Sequence, residues 1–127
     1  MVAKIIYKSD MFLLGSNGSS ISIVYHFLTC DASGRSAEKI KYWIKDPQDL
    51  YYSSNACSLE KSDDDIIIGD CLDEEISQEE YYKYAVTVSA KSLYDLLTQW
   101  IQICKDMPEV MTVYLDGKEL SIEWSQK

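Results

Sequence analysis

The sequence predicts a single α+β domain over residues 1–127, in which a mainly antiparallel sheet with β-hairpins is backed by one long C-terminal helix, about residues 89–106. Three observations lead to this prediction. Short segments of alternating polarity outnumber helical ones, Asn-Gly and Asp-Gly pairs separate such segments, and one apolar stripe of helical period lies near the C-terminus. A chain of 127 residues, 46% of them hydrophobic, can bury a core without disulfides or metal.

The first hairpin is predicted in "FLLGSNGSSISIVYHFL". Asn17-Gly18 favours a type I′ turn, because both central residues of that turn take positive φ. In the arm that follows, every second residue from Ile21 to Phe27 is apolar or aromatic. This alternation predicts a strand with one apolar face.

The next segment, "EKIKYWIKDP", fits two structures. Ile40, Tyr42 and Ile44 alternate as in a strand, whereas Ile40, Trp43 and Ile44 match the spacing of a helix. We expect a strand, because the lysines then share the opposite face, β-forming residues dominate the centre, and an Asp-Pro pair ends the segment with turn chemistry.

Two further strands are expected in the middle of the chain. "DDDIIIGD" predicts a short strand that follows an acidic turn and ends at Gly69. "YYKYAVTVS" alternates again and places Tyr82, Tyr84, Val86 and Val88 on one face.

The clearest helix follows Ser89, whose hydroxyl is a preferred N-cap, and continues until Pro108, which cannot extend it. Apolar residues recur three and four positions apart along this segment, so one broad stripe should pack against the sheet. The stripe consists of Leu93, Leu96, Leu97, Trp100, Ile101 and Cys104.

The C-terminal segment "EVMTVYLDGKELSIEW" predicts the second hairpin. Asp116-Gly117 can form its two-residue turn. One face then carries the apolar residues Met111, Val113, Leu115, Leu120 and Ile122, and Tyr114 lies with the polar residues on the other. The expected register pairs Leu115 with Lys118, Val113 with Leu120 and Met111 with Ile122.

Negative charge is concentrated in residues 60–80, "EKSDDDIIIGDCLDEEISQEE". This segment has ten carboxylates and one lysine, and its formal charge of −9 equals the net charge of the whole chain. The remaining residues hold equal numbers of acids and bases. A pI near 4.4 disfavours binding to nucleic acid or to an anionic membrane surface and favours a cationic partner.

Residues suited to catalysis or metal binding are scarce. His26 is the only histidine, and the four cysteines are well separated, with no CxxC pair. A nucleophile generally needs a neighbouring base, and zinc needs closely spaced Cys and His ligands. The run Asp63–Asp65 does not continue as an EF-hand loop. We therefore expect a protein that is not an enzyme and binds neither cofactor nor metal.

A cytoplasmic location is expected from the distribution of apolar residues. No apolar run approaches the roughly 18 to 20 residues of a membrane span. Charged residues interrupt "MVAKIIYKSD" too early for a signal peptide. The cysteines are accordingly expected to remain as thiols.

The C-terminal half resembles a known class of protein. "DDDIIIGD", the alternating strand after it and "SLYDLLTQWIQICKDMPEVMTVYLDGKELSIEW" are similar to small bacterial immunity proteins, which accompany polymorphic toxins, including those of contact-dependent growth inhibition. The resemblance covers roughly residues 60–127 and is strongest at Leu96, Leu97 and Trp100, followed by Pro108 and the closing hairpin. It implies a short cytoplasmic protein, a sheet backed by helices, that binds and blocks one toxin domain, commonly a nuclease.

The acidic segment is the expected partner-binding surface, since its carboxylates can attract a basic toxin domain and its tyrosines can anchor that domain. The expected partner-binding residues are Asp63, Asp64, Asp65, Asp70, Asp73, Glu74, Glu75, Glu79, Glu80, Tyr81 and Tyr82. Three alternatives stay open: an acidic mimic of DNA, an adaptor or structural domain with a solvated acidic turn, and an enzyme with a carboxylate metal site.

Overall fold

The computed structural model describes residues 2–8, 11–16, 23–24, 27–28, 32, 35–53, 57–70, 85–106 and 110–125. Strands and helices occur in an order that confirms the α+β prediction. In chain order the elements are strands β1 (Val2–Lys8) and β2 (Met11–Ser16), helix α1 (Arg35–Lys45), strands β3 (Tyr51–Ser53), β4 (Cys57–Ser62), β5 (Asp65–Asp70) and β6 (Val86–Ser89), helix α2 (Ala90–Asp106), and strands β7 (Val110–Asp116) and β8 (Glu119–Ser125).

The described strands form two four-stranded antiparallel sheets, where the sequence predicted one. Sheet A has the order β2-β1-β7-β8, and sheet B has the order β3-β4-β5-β6. In sheet A, β1 lies between β2 and β7, so Ile5 opposes both Leu14 and Met111. In sheet B each strand pairs with the next strand in the sequence.

One cluster of buried side chains joins both sheets and both helices. The largest of its fully buried side chains is Trp100 of α2, which is 1% exposed and donates its indole N–H to the Ala32 carbonyl at 2.8 Å. Burial of large apolar side chains from both sheets and both helices in this cluster stabilises the fold through the hydrophobic effect. Its largest fully buried members also include Phe27, Leu28, Ile40, Leu59, Ile66, Ile68, Leu93, Leu96 and Leu97.

Helix α2 begins where its cap was predicted. The Ser89 hydroxyl oxygen accepts a hydrogen bond from the Ser92 amide at 3.1 Å, which satisfies one free N–H of the first turn. The predicted stripe is buried as far as Trp100, but Ile101 and Cys104 lie at its margin and Ile103 is buried in their place.

Strands β7 and β8 confirm the predicted faces of the second hairpin, but the predicted register is wrong by two residues. Leu115 pairs with Leu120, because the two turn residues are Gly117 and Lys118. Gly117 takes φ +63°, the positive value that a type II′ turn requires at its first central position. Asp116 therefore belongs to the strand.

The strand predicted in "EKIKYWIKDP" is wrong, since these residues lie mostly in helix α1. Ala37, Ile40 and Trp43 are buried at three-residue spacing, which a helix can direct to one side. Tyr42, which a strand would have placed beside Ile40, is 84% exposed. Packing of α1 against α2 thus selects the helical pattern over the alternating one.

The first predicted hairpin is only partly found. Its first arm is strand β2, but β2 pairs with β1, and the Asn17-Gly18 turn lies outside the described residues. The predicted second arm is wrong, because its described residues Ile23, Val24, Phe27 and Leu28 are helical. Val24, Phe27 and Leu28 are almost fully buried, and their spacing of three and four residues is that of one helix face.

The other two strand predictions are confirmed in their described parts. Strand β5 follows a turn at Asp63 and Asp64 and ends one residue beyond Gly69. Val86 and Val88 share the buried face of β6, whereas the tyrosines predicted beside them lie outside the described residues. Within the described ranges, no helix is both long and apolar enough to span a membrane.

Candidate functional site

Two turns from different sheets meet at the N-terminus of α2. The Ala90 amide donates to the Asp64 carbonyl at 2.8 Å, which attaches the β4–β5 turn to the first residue of the helix. The Ser89 amide donates to the Lys118 carbonyl at 2.7 Å, which attaches the β7–β8 turn to the end of β6. Both turns are thereby held by backbone hydrogen bonds of ordinary length.

A pair of serines connects these two attachments. Ser89 Oγ, the helix cap, donates to Glu119 Oε2 at 3.1 Å. Ser92 is 6% exposed. Its hydroxyl oxygen accepts a hydrogen bond from the Leu120 amide, and its hydroxyl donates one to the Ser89 carbonyl, each at 3.1 Å. The start of α2 and the start of β8 are therefore connected by a network of hydrogen bonds, most of them partly buried.

We call the charged surface at this junction the acidic corner, formed by Asp63, Asp64, Asp65, Lys118 and Glu119. Asp65 Oδ2 forms an ion pair with Lys118 Nζ at 2.6 Å. Asp63 and Asp64 are exposed, and no other described residue forms an ion pair with them. Asp63 adopts φ +55°, a left-handed conformation that Asp tolerates better than most residues. The turn therefore presents two exposed carboxylates that form no ion pair with the described residues, and a backbone hydrogen bond from Ala90 holds it.

A groove of about 380 Å³ lies beside the acidic corner, and we call it the corner groove. Asp64, Asp65 and Glu119 line it together with Lys45 and Lys91. Helix α2 has no acidic residue in its own first turn, so these carboxylates from other segments supply negative charge near the positive end of the helix dipole. Such a groove can accept an ammonium or guanidinium group from another molecule.

Lys61, the one lysine of residues 60–80, is directed toward the C-terminal end of α1. Its ammonium group donates to the carbonyls of Trp43 and Asp46 and lies 4.5 Å from the centroid of the Trp43 ring. A cation in this place stabilises the free carbonyls and the negative end of a helix. Lys61 therefore stabilises the C-terminal end of α1. Within the acidic corner, Lys118 is the lysine that pairs with Asp65.

The structure brings together part of the predicted partner-binding set. Asp63, Asp64 and Asp65 belong to the acidic corner. Asp70 ends β5, five residues beyond Asp65 and therefore about 17 Å along the strand. The other predicted residues, Asp73, Glu74, Glu75, Glu79, Glu80, Tyr81 and Tyr82, lie outside the described residues.

Lys118 and Glu119 are the site residues that the sequence did not indicate. They follow the Asp-Gly pair of the second hairpin, so the available signal was a charged turn. That signal does not show which surface the turn contacts.

The described part of the chain contains no group of three or more His, Cys, Asp or Glu side chains arranged to hold a metal ion. The chain matches no protein-family model, no curated protein and no solved structure. Its function therefore has to be argued from its own residues and charges.

The ion pair of the acidic corner predicts a pH dependence of stability. The hydrogen bond to Asp65, and then the charge of Asp65, raise the pKa of Lys118 above its ordinary value of 10.5. A raised folded-state pKa means that this stabilisation is complete below pH 10.5 and is lost as the pH rises through the raised value. We expect K118M to lower the free energy of unfolding near neutral pH, and the difference from wild type to disappear in strong alkali.

Urea unfolding of wild type and K118M, at neutral pH and at several values above 10.5, measures this difference. The Lys118 side chain is 60% exposed, so the effect should be small and should weaken in high salt. We expect D65N to show the same pH-dependent loss of stability as K118M. A difference that does not change with pH would contradict the assignment.

Proposed function

We propose that this chain is a cytoplasmic immunity protein, a non-enzymatic inhibitor that binds one basic toxin domain and occludes its active site. The sequence resemblance to immunity proteins favours a nuclease as the toxin. The charge distribution supports the same function, because an enzyme that binds nucleic acid presents lysines and arginines to phosphates. An acidic protein surface can occupy such an active site in place of the nucleic acid.

The observation that most supports this proposal is the pair of exposed carboxylates, Asp63 and Asp64, on the turn of the acidic corner. Residues 60–80 contain the whole charge excess of −9, and their described part, residues 60–70, includes the β4–β5 turn, where Asp63 and Asp64 are exposed. The Ala90 amide holds the backbone of this turn. Charges on a preorganised backbone attract a cationic partner without a further loss of conformational entropy.

The first test identifies the partner and its chemistry. The tagged chain is incubated with lysate of its source cells, washed at low and at high salt, and the bound polypeptides are identified. We expect one basic polypeptide at one-to-one stoichiometry that inhibits growth when expressed alone and no longer does so with this chain. No captured polypeptide at either salt concentration would contradict the proposed function.

The second test measures the contribution of the acidic corner to association. D63N/D64N removes two negative charges, and Asn tolerates the left-handed backbone at position 63. We expect association with the purified partner to slow roughly two- to threefold at physiological salt, since exposed charges act mainly on the on-rate. At 1 M salt, where screening extends only about 3 Å, the difference should disappear.

The matched control is D95N/E123Q, which changes the net charge equally at exposed positions on α2 and β8. If both double variants slow association to the same extent, the effect belongs to the net charge and not to the acidic corner. Competition for the partner by duplex DNA, with no effect of the chain on toxicity, would instead indicate a DNA mimic.

A further inference from the structure

In the described part of the chain, the most exposed large apolar side chain lies on α1. Among the described residues, the large apolar side chains that are exposed are Tyr42 at 84%, Tyr51 at 65% and Leu50 at 50%. Tyrosine is enriched at the centres of protein interfaces, because it has a large rigid ring and a polar tip. Tyr42 is therefore a candidate anchor for a partner.

Tyr42 borders a second groove of about 450 Å³ between α1 and α2, which we call the tyrosine groove. The side chains of Lys41, Lys45 and Tyr94 also line it. The ammonium groups of Lys41 and Lys45 lie 4.9 and 4.5 Å from the centroid of the Tyr94 ring. Two positive charges thus converge on one aromatic ring, which partly offsets their repulsion.

The lysines of the tyrosine groove have no carboxylate partner within the described part of the chain. Glu38 and Asp46 border the groove, but neither forms an ion pair with Lys41 or Lys45. Asp46 Oδ1 instead accepts a hydrogen bond from the Gln48 backbone amide at 3.0 Å. The groove can therefore accept a carboxylate from another molecule.

The two grooves are neighbours, because Lys45 lines both of them. The acidic corner lies at one end of the combined surface and Tyr42 lies at the other. Lys61 binds the carbonyls at the C-terminal end of α1, which fixes the wall that the grooves share. The two grooves thus adjoin, with carboxylates in excess of lysines at the acidic corner. At the other end the ammonium groups of Lys41 and Lys45 converge on Tyr94, and Glu38 and Asp46 also border the groove.

We propose that the basic partner docks across both grooves. Its cationic side chains meet the acidic corner, one of its carboxylates lies between Lys41 and Lys45, and an apolar side chain packs on Tyr42. This inference rests on the proposed function and specifies the partner's surface. Opposite charges at the two ends give the complex one orientation, because the reversed orientation places like charges together.

The test compares dissociation rates of the purified partner from two tyrosine variants. Tyr42 and Tyr51 are both exposed, but Tyr51 lines neither groove. We expect Y42A to speed dissociation about 10-fold or more with little change in the association rate. We expect Y51A to change the dissociation rate by less than about twofold. Equal thermal unfolding of the two variants and wild type confirms that the fold is intact.

Charge reversal tests the orientation. We expect K41E/K45E to weaken binding about 10-fold or more, because it places carboxylates opposite the partner's carboxylate. K105E is the control, since Lys105 is an exposed lysine about 16 Å beyond Tyr94 along α2. K105E should not weaken binding, because it adds negative charge away from the contact.

The outcomes separate this inference from the proposed function. A partner that binds wild type, Y42A and K41E/K45E equally well supports the immunity function but overturns docking across the tyrosine groove. Tighter binding by K41E/K45E overturns the inference as well, since it shows that the partner presents only cations there. Failure to capture any partner contradicts both.

Discussion

W100A is expected to lower the free energy of unfolding by about 3–5 kcal/mol, a large part of the stability of a typical domain. Trp100 is 1% exposed and lies among side chains from both helices and both sheets, so its removal leaves a large cavity. Its indole N–H also donates to the Ala32 carbonyl at 2.8 Å, and that acceptor would lose its partner.

Urea unfolding followed by circular dichroism measures this effect. W100F separates the two causes, because phenylalanine fills most of the volume but cannot donate to Ala32. We expect W100F to lower the free energy of unfolding by about 1–3 kcal/mol. A loss below about 1 kcal/mol for W100A would show that the packing around this side chain is not what the structure describes.

K61M is expected to lower the free energy of unfolding by about 2 kcal/mol, although the Lys61 side chain is only half-buried. The ammonium group donates to two carbonyls at the end of α1 and lies over the Trp43 ring, and hydrogen bonds to charged groups contribute more than neutral ones. Methionine keeps the apolar stem of the side chain, so the loss measures the charge and its hydrogen bonds.

The control for this variant is K105M, which removes a positive charge from an exposed position near the end of α2. Its effect should be within about 0.5 kcal/mol. If K61M and K105M lower the free energy of unfolding equally little, Lys61 does not stabilise the end of α1 and does not fix the wall shared by the two grooves.

The elements that the sequence predicts well are those in which one pattern and one cap agree. Ser89, the apolar stripe up to Trp100 and Pro108 all indicate the same helix, and α2 is found there. In α1 the alternating pattern and the helical pattern overlap on Ile40. Only the packing of the buried positions against α2 distinguishes them, and that contact is tertiary.

The second hairpin shows a smaller ambiguity of the same kind. A shift of two residues leaves every side chain on its predicted face, because side chains of a strand alternate with period two. The apolar pattern therefore could not distinguish a turn at Asp116-Gly117 from one at Gly117 and Lys118. The positive φ of Gly117 at the first central position decides it.

Some residues of the candidate site can be recognised from the local sequence, and others only from tertiary contacts. Charge counting alone located Asp63 and Asp64, since their excess is visible in the sequence. The ion pair between Asp65 and Lys118 joins residues 53 positions apart, and no local pattern indicates it. The tyrosine groove was not predicted because it requires α1, which the sequence presented as a strand.

The position of β1 in the middle of sheet A affects how quickly a newly made chain can complete its fold. Ile5 pairs with Met111, whereas Tyr51 and Glu60 in sheet B are close in sequence. Long loops close more slowly and at a greater loss of entropy. On the ribosome, β3, β4 and β5 can pair as soon as they emerge, and so can β1 and β2, but sheet A is complete only after β7 and β8 have emerged. The β7–β8 turn completes the acidic corner, so the partner-binding surface that we propose would be complete only after this last, slowest closure.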